Sequence, residues 1–117
     1  MQGFRQTRGV VKMGTISEPF YEWNVKNAKN IPEEAGVYGL YEAMNDERLI
    51  YIGSSSNLRE RFTQYWDTKF SEDQCKRSTR YYKREFTGSY ESREKELLEQ
   101  YKREHDGKLP KCNEVVP

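Results

Sequence analysis

Two short runs rich in aromatic and β-branched residues, GVYGLY at 36–41 and RLIYIG at 48–53, bracket the polar stretch Met44-Asn45-Asp46. Such a pattern predicts a β-hairpin. A four-residue loop from Ala43 to Asp46 sets Glu42 opposite Glu47, Leu40 opposite Leu49 and Tyr38 opposite Tyr51. Opposed residues share a face and neighbours alternate, so both tyrosines stand on one face. Val37, Tyr41, Ile50 and Ile52 point the other way. Past Gly53 the period changes. Ser54, Ser55 and Ser56 offer hydroxyls to cap a helix start, and Leu58, Phe62, Tyr65 and Trp66 recur at helical spacing, predicting a helix over about 56–67. Tyr90, Leu97, Leu98 and Tyr101 predict a second helix over about 90–105, stopped at Asp106-Gly107. Residues 79–86 read as a further strand.

Ahead of the hairpin, Ile31-Pro32-Glu33-Glu34-Ala35-Gly36 reads as a turn, because proline fixes its own φ and disfavours helix at the residue before it. In the stretch before that, Phe20, Tyr21 and Trp23 cluster without a period and are expected to cover one side of the core. The elements add up to an α+β fold, a small mixed or antiparallel sheet made of a hairpin plus a further strand and flanked by helices. No repeat, low-complexity tract or linker interrupts the 117 residues, which predicts one domain over 1–117, with 1–30 an extension whose structure the pattern does not define.

Composition narrows the function classes. Nine Tyr, five Phe and two Trp are too many for a disordered chain of this length. No apolar run approaches the roughly 20 residues needed to cross a bilayer, and MQGFRQTRG at the start lacks the apolar stretch of a secretory signal. A soluble, cytoplasmic protein without a membrane partner is expected. Twenty Lys and Arg against 19 Asp and Glu leave a net charge of +1, so any nucleic-acid surface must be a local patch. The candidates are Arg5, Arg8 and Lys12, and then Lys76, Arg77, Arg80, Lys83 and Arg84, interleaved with Tyr81 and Tyr82 as stacking surfaces. Cys75, Cys112 and His105 have no zinc-ligand spacing, and the two cysteines read as free thiols or small buried side chains.

At about 100° per residue, Glu94 falls at the centre of the second helix's apolar stripe, between Tyr90, Leu97, Leu98 and Tyr101, whereas Glu91, Glu96 and Glu99 face solvent. A carboxylate so placed is costly unless it is paired, hydrogen-bonded or bound to a metal. A salt bridge to a nearby arginine is the competing explanation.

Gly36-Val37-Tyr38, Tyr51-Ile52-Gly53 and an arginine ten residues after the second tyrosine together resemble the paired motifs of the GIY-YIG nuclease family, and IYIGSSSNLRERF resembles its second strand and first helix. The resemblance runs from about Ile31 to Asn113. It implies catalytic roles for Tyr38, Tyr51, Arg61 and Glu94, with Asn113 holding the framework. Ser54 stands where many members carry lysine, and the longer interval from Glu94 to Asn113 leaves Glu96 as a competing assignment. It further implies an endonuclease of repair or recombination type, acting on duplex, branched or partly single-stranded DNA. One divalent ion, Mg²⁺ or Mn²⁺, would be held by Glu94 and waters. A tyrosine, Tyr38 or Tyr51 acting through its neighbour, would take the proton of the attacking water, and Arg61 with Lys76, Arg77, Arg80 and Arg84 would contact DNA. Two alternatives stay open: a non-catalytic nucleic-acid-binding module keeping the fold, and a protein-interaction domain using Phe20, Tyr21 and Trp23 as its contact surface.

Overall fold

The computed structural model describes residues 15–114, so Arg5, Arg8 and Lys12 lie outside the described residues. The described chain runs β1 (Tyr21–Glu22), α1 (Val25–Asn30), β2 (Gly36–Tyr41), β3 (Leu49–Ser55), α2 (Leu58–Thr68), β4 (Tyr81–Phe86) and α3 (Tyr90–Glu104), with short 3₁₀ helices at Asp46–Arg48 and Gln74–Ser78. The sheet has order β1-β4-β2-β3 and every pairing is antiparallel. The fold is α+β, and the sheet is wider than a hairpin plus one strand because Tyr21 and Glu22 add β1 alongside β4.

The β2–β3 hairpin forms where expected but in a different register. Tyr38 opposes Gly53 and Leu40 opposes Tyr51, two residues away from the four-residue-loop register. The cause is the connection. Asn45 caps the Asp46–Arg48 turn with its side chain, and Glu42 N–H closes on the Arg48 carbonyl at 3.1 Å. A shift of two preserves the faces of a pleated strand, so Tyr38 and Tyr51 still share one. A bulge between Leu40 and Tyr41 turns Ile50 onto the Tyr38 side, not the Val37 side that simple alternation gives it.

α1 and α2 cover the Tyr38 face, where Ala28, Leu40, Leu58, Phe62 and Tyr82 are buried around Tyr38. Trp23 lies 5.4 Å from Phe62 and Tyr21 stacks on Tyr82, so the early aromatic cluster packs on the core and is not a free contact surface. α3 covers the opposite face, where Leu97 meets Val37, Ile52 and Ile16. The cap of α2 is Asn57, whose side chain accepts from Glu60 N–H at 3.1 Å. Ser55 instead hydrogen-bonds the Asn57 backbone. α3 ends as expected, with Asp106 and Gly107 at positive φ and Gly107 N–H on the Lys102 carbonyl at 2.7 Å.

Two ties fix the hairpin's outer end. Glu42 accepts from Ser78, Lys111 and Arg48 at 2.8, 2.9 and 3.1 Å, and these donors, Lys111 foremost, lower its carboxyl to about 2. Lys83, expected in a basic patch, is fully buried, with its ammonium 2.8 Å from Asp46 and 2.5 Å from Glu18. It crosslinks the chain from inside and offers no charge to a ligand. Tyr82 is also core, which leaves Tyr81 as the half-exposed ring of that pair.

The cysteines are not free. Tertiary folding brings the Cα atoms of Cys75 and Cys112 to 5.6 Å, within bridging distance, and they are joined as a disulfide. A separation of 37 residues gives no local sign of this.

Candidate active site

The site gathers at the end of β3, and the first reason is its place at the sheet's edge. Residues on the α2 face and the α3 face reach each other around an edge strand, which a central strand would prevent. On the α2 face, Tyr38 is fully buried and its ring centroid lies 6.1 Å from that of Tyr51. The glycine of the second motif makes that approach possible. A Cβ on Gly53 would stand 2.6 Å from the Tyr38 hydroxyl and 2.7 Å from the Tyr51 ring. The glycine of the first motif has a different duty, since a Cβ on Gly36 would meet the Glu85 backbone carbonyl at 2.3 Å.

These contacts give separable outcomes. Gly53→Ala should displace two tyrosine rings, lowering cleavage by at least about tenfold for a modest loss in melting temperature, whereas Gly36→Ala should destabilise by several kcal/mol, because backbone cannot move aside. Chemical denaturation paired with a cleavage assay distinguishes the two. Equal losses of stability would refute the assignment of Gly53 to the site.

α2 supplies the cation. Arg61 and Tyr65 are one turn apart on the side of the helix next to the buried Leu58 and Phe62. Tyr65 shares a 2.7 Å hydrogen bond with the Tyr38 hydroxyl, and Arg61 reaches that hydroxyl and the Ser54 carbonyl, both at 3.4 Å. Burial, then the neighbouring Tyr65 and Tyr51, holds the Tyr38 phenol well above its ordinary range, with Arg61 opposing them. Burial also raises Tyr51, helped by Tyr65 and Glu94 and opposed by Lys76 and Arg61. Tyr51 is only partly buried and lines an open pocket with Arg61, Gln64, Tyr65, Thr68 and Lys76. Of the two tyrosines it is the one that water can reach.

Glu94 arrives from the other side. Partly buried on α3, its carboxylate accepts a short hydrogen bond from the Ser54 hydroxyl. It does not line the tyrosine pocket, as a single shared pocket would require. It lies in a groove with Glu91, Lys95, Leu98 and Lys102 on the α3 side. A third groove joins the two, sharing Arg61 and Gln64 with the tyrosine pocket and Glu91 with the α3 groove. Glu96 is exposed and ion-paired with Arg93. Arg93 is also ion-paired with Glu85, at 2.7 Å. Asn113 grips β3 beside Tyr51: its Oδ1 accepts from Ile52 N–H at 2.8 Å and its Nδ2 donates to the Ile52 carbonyl at 2.9 Å.

The basic run splits up. Lys76 enters the tyrosine pocket, and Arg77 is exposed on the same 3₁₀ helix. Arg80 lines a separate groove with Glu42, Met44 and Tyr81, and Arg84 is stacked against Tyr21 and Phe86, 4.3 and 4.9 Å from their ring centroids. Tyr65 and Ser54 are site neighbours that the sequence does not single out as such. The helical spacing of Tyr65 from Arg61 is its one local signal; Ser54 has none beyond its place after the second motif.

Two tyrosines, an arginine and, from the opposing helix, a carboxylate thus lie around the end of one strand. The chain belongs to the GIY-YIG family: residues 34–108 match the GIY-YIG catalytic domain. That domain is an endonuclease domain acting on DNA. No curated protein and no solved structure gave a significant match. No helix among the described residues is long and apolar enough to cross a membrane.

Proposed function

We propose that this protein is a metal-dependent endonuclease that hydrolyses DNA phosphodiester bonds at the end of β3. The observation that carries the reading is the convergence there of Tyr38, Tyr51, Arg61 and Glu94 from β2, β3, α2 and α3. No group of three His, Cys, Asp or Glu side chains able to hold a metal occurs among the described residues, so a metal at Glu94 would have at most two such ligands. That donor set suits an ion that keeps most of its waters, as Mg²⁺ does, and Mn²⁺ fits the same oxygen ligands. Bound at Glu94, such an ion would supply Lewis-acid stabilisation of the leaving oxygen.

The chain's own residues do the rest. Tyr51, open to solvent, accepts the proton of the attacking water as that oxygen forms its bond to phosphorus and the opposite P–O bond breaks. Arg61 pairs with phosphoryl oxygens as charge grows on them. Tyr38, tied to Tyr65, holds the Tyr51 ring and Arg61 in place. Ser54 orients the Glu94 carboxylate. Arg61 and Lys76, with Arg77 nearby, give the DNA strand few phosphate contacts, so binding is weak and strongly salt-dependent. The connected grooves around the β3 edge suit a distorted or partly single-stranded substrate better than a smooth duplex.

Incubation with plasmid and with branched oligonucleotide DNA, with Mg²⁺ or Mn²⁺ and with chelator, tests the reading. Cleavage in metal and none in chelator is expected. Binding without cleavage under every metal condition would replace it with a non-catalytic module.

A further inference from the structure

Lys76 is the feature of the pocket that the motif residues do not explain. Its side chain is only 11% exposed, an unusual place for an ammonium unless something compensates it. Asp73 does so in part, at 3.0 Å, while its other carboxylate oxygen accepts from Cys75 N–H at 3.1 Å. The ammonium sits 3.8 Å from the centroid of the Tyr51 ring and 5.4 Å from that of Tyr65. Burial pulls the Lys76 amine down, but Tyr65, Tyr51 and Asp73 more than offset it, so it stays charged.

What seats Lys76 also seats Tyr51. The Cys112 N–H donates to the Ile50 carbonyl at 2.8 Å, and Asn113 holds both backbone groups of Ile52. One C-terminal turn thus grips β3 on either side of Tyr51. The disulfide from Cys112 runs to Cys75, the residue before Lys76. Ring and ammonium are therefore tied to a common anchor.

We propose that Lys76 is a positioning residue for Tyr51, held over its ring by Asp73 and by the Cys75–Cys112 disulfide. This deepens the nuclease reading and rests on it: a tyrosine that takes a proton from water must be present as phenolate, and a cation on its ring favours that form. The charged and titratable groups around Tyr51 are Lys76 with Asp73 and Glu72 from the loop, Arg61 and Tyr65 from α2 and Tyr38 from β2, while Glu94 on α3 acts on it electrostatically from outside that pocket. Burial is the largest influence on Tyr51, and Lys76 is the strongest of those that oppose it.

Lys76→Met, Lys76→Arg and wild type, each checked for folding by circular dichroism, decide the matter. The Tyr51 ring carbon, labelled with ¹³C at Cζ and titrated by NMR without DNA or metal, should ionise about one pH unit higher in Lys76→Met and near the wild-type value in Lys76→Arg. In cleavage assays, the acid limb of kcat/KM should move up by the same amount. Activity at neutral pH then falls about tenfold and recovers as pH rises. The Cys75→Ser, Cys112→Ser double variant should reproduce part of the shift, and an unmoved limb there would remove the disulfide from the device. A loss equal at all pH with an unmoved Tyr51 titration would make Lys76 merely structural and overturn the proposal. A raised KM and flatter salt dependence with an unmoved titration would make it a phosphate contact and overturn it as well. If wild type cleaves nothing, the nuclease reading fails, while the NMR titration still decides whether Lys76 acts on Tyr51.

Discussion

Glu94→Gln is expected to reduce cleavage by a factor of about 10³ while leaving the fold and DNA binding nearly unchanged. Gln is close to isosteric, and its side-chain oxygen still accepts from the Ser54 hydroxyl, as the Glu94 carboxylate does. Leu97 and the rest of the α3 face keep their packing against Val37 and Ile52. What disappears is the negative charge, which a hydrated divalent ion needs and a neutral amide does not replace. Single-turnover cleavage, thermal melting and fluorescence anisotropy on the same preparations separate the effects. Glu96→Gln is the control: it removes an exposed ion pair with Arg93, worth at most about 1 kcal/mol, and should leave the rate alone. Residual activity in Glu94→Gln above a few per cent of wild type, or a comparable loss in Glu96→Gln, would move the metal to another residue.

Arg61→Ala comes next, with an expected loss of about 10²-fold in kcat/KM. The guanidinium is partly buried between the Tyr38 hydroxyl and the Ser54 carbonyl, at 3.4 Å from each. It is therefore held in a fixed direction, with donors left over for a phosphoryl group. Tyr38 keeps its shorter bond to Tyr65 when Arg61 is gone, and alanine is favourable in a helix, so stability should change by less than about 1 kcal/mol. Arg61→Lys should recover only part of the activity, because an ammonium restores charge and not the planar fork. The salt dependence of binding should flatten by about one unit of log-log slope in Arg61→Ala, as one phosphate contact is lost. A rate unchanged from wild type would show that Arg61 only supports Tyr38.

Much of this was fixed locally. Alternation over 36–41 and 48–53 puts Tyr38 and Tyr51 on one face in every register that differs from the simplest one by an even number of residues, and the observed register differs by two. The helical period of Leu58 and Phe62 commits Arg61 and Tyr65 to one edge of α2. The period of Leu97, Leu98 and Tyr101 likewise commits Glu94 to the packed side of α3 and Glu96 to solvent. Local pattern also carried the family resemblance, because both motif glycines sit where any side chain would collide.

Contacts between distant segments are another matter, and only the tertiary structure decided them. Lys83 looks like its basic neighbours in sequence but faces the inside of the sheet, where Glu18 and Asp46 surround it, 65 and 37 residues away along the chain. The Cys75–Cys112 bond and the seat of Lys76 over Tyr51 depend on a distant turn around Cys112 folding back onto β3. Glu94 is displaced from the tyrosine pocket for a similar reason: strand order alone puts β3 at the edge and α3 behind it. Periodicity assigns a residue to a face because a face is a property of one element. Which groups meet across faces depends on how elements pack and on the long-range closures that packing permits, and no local pattern encodes that.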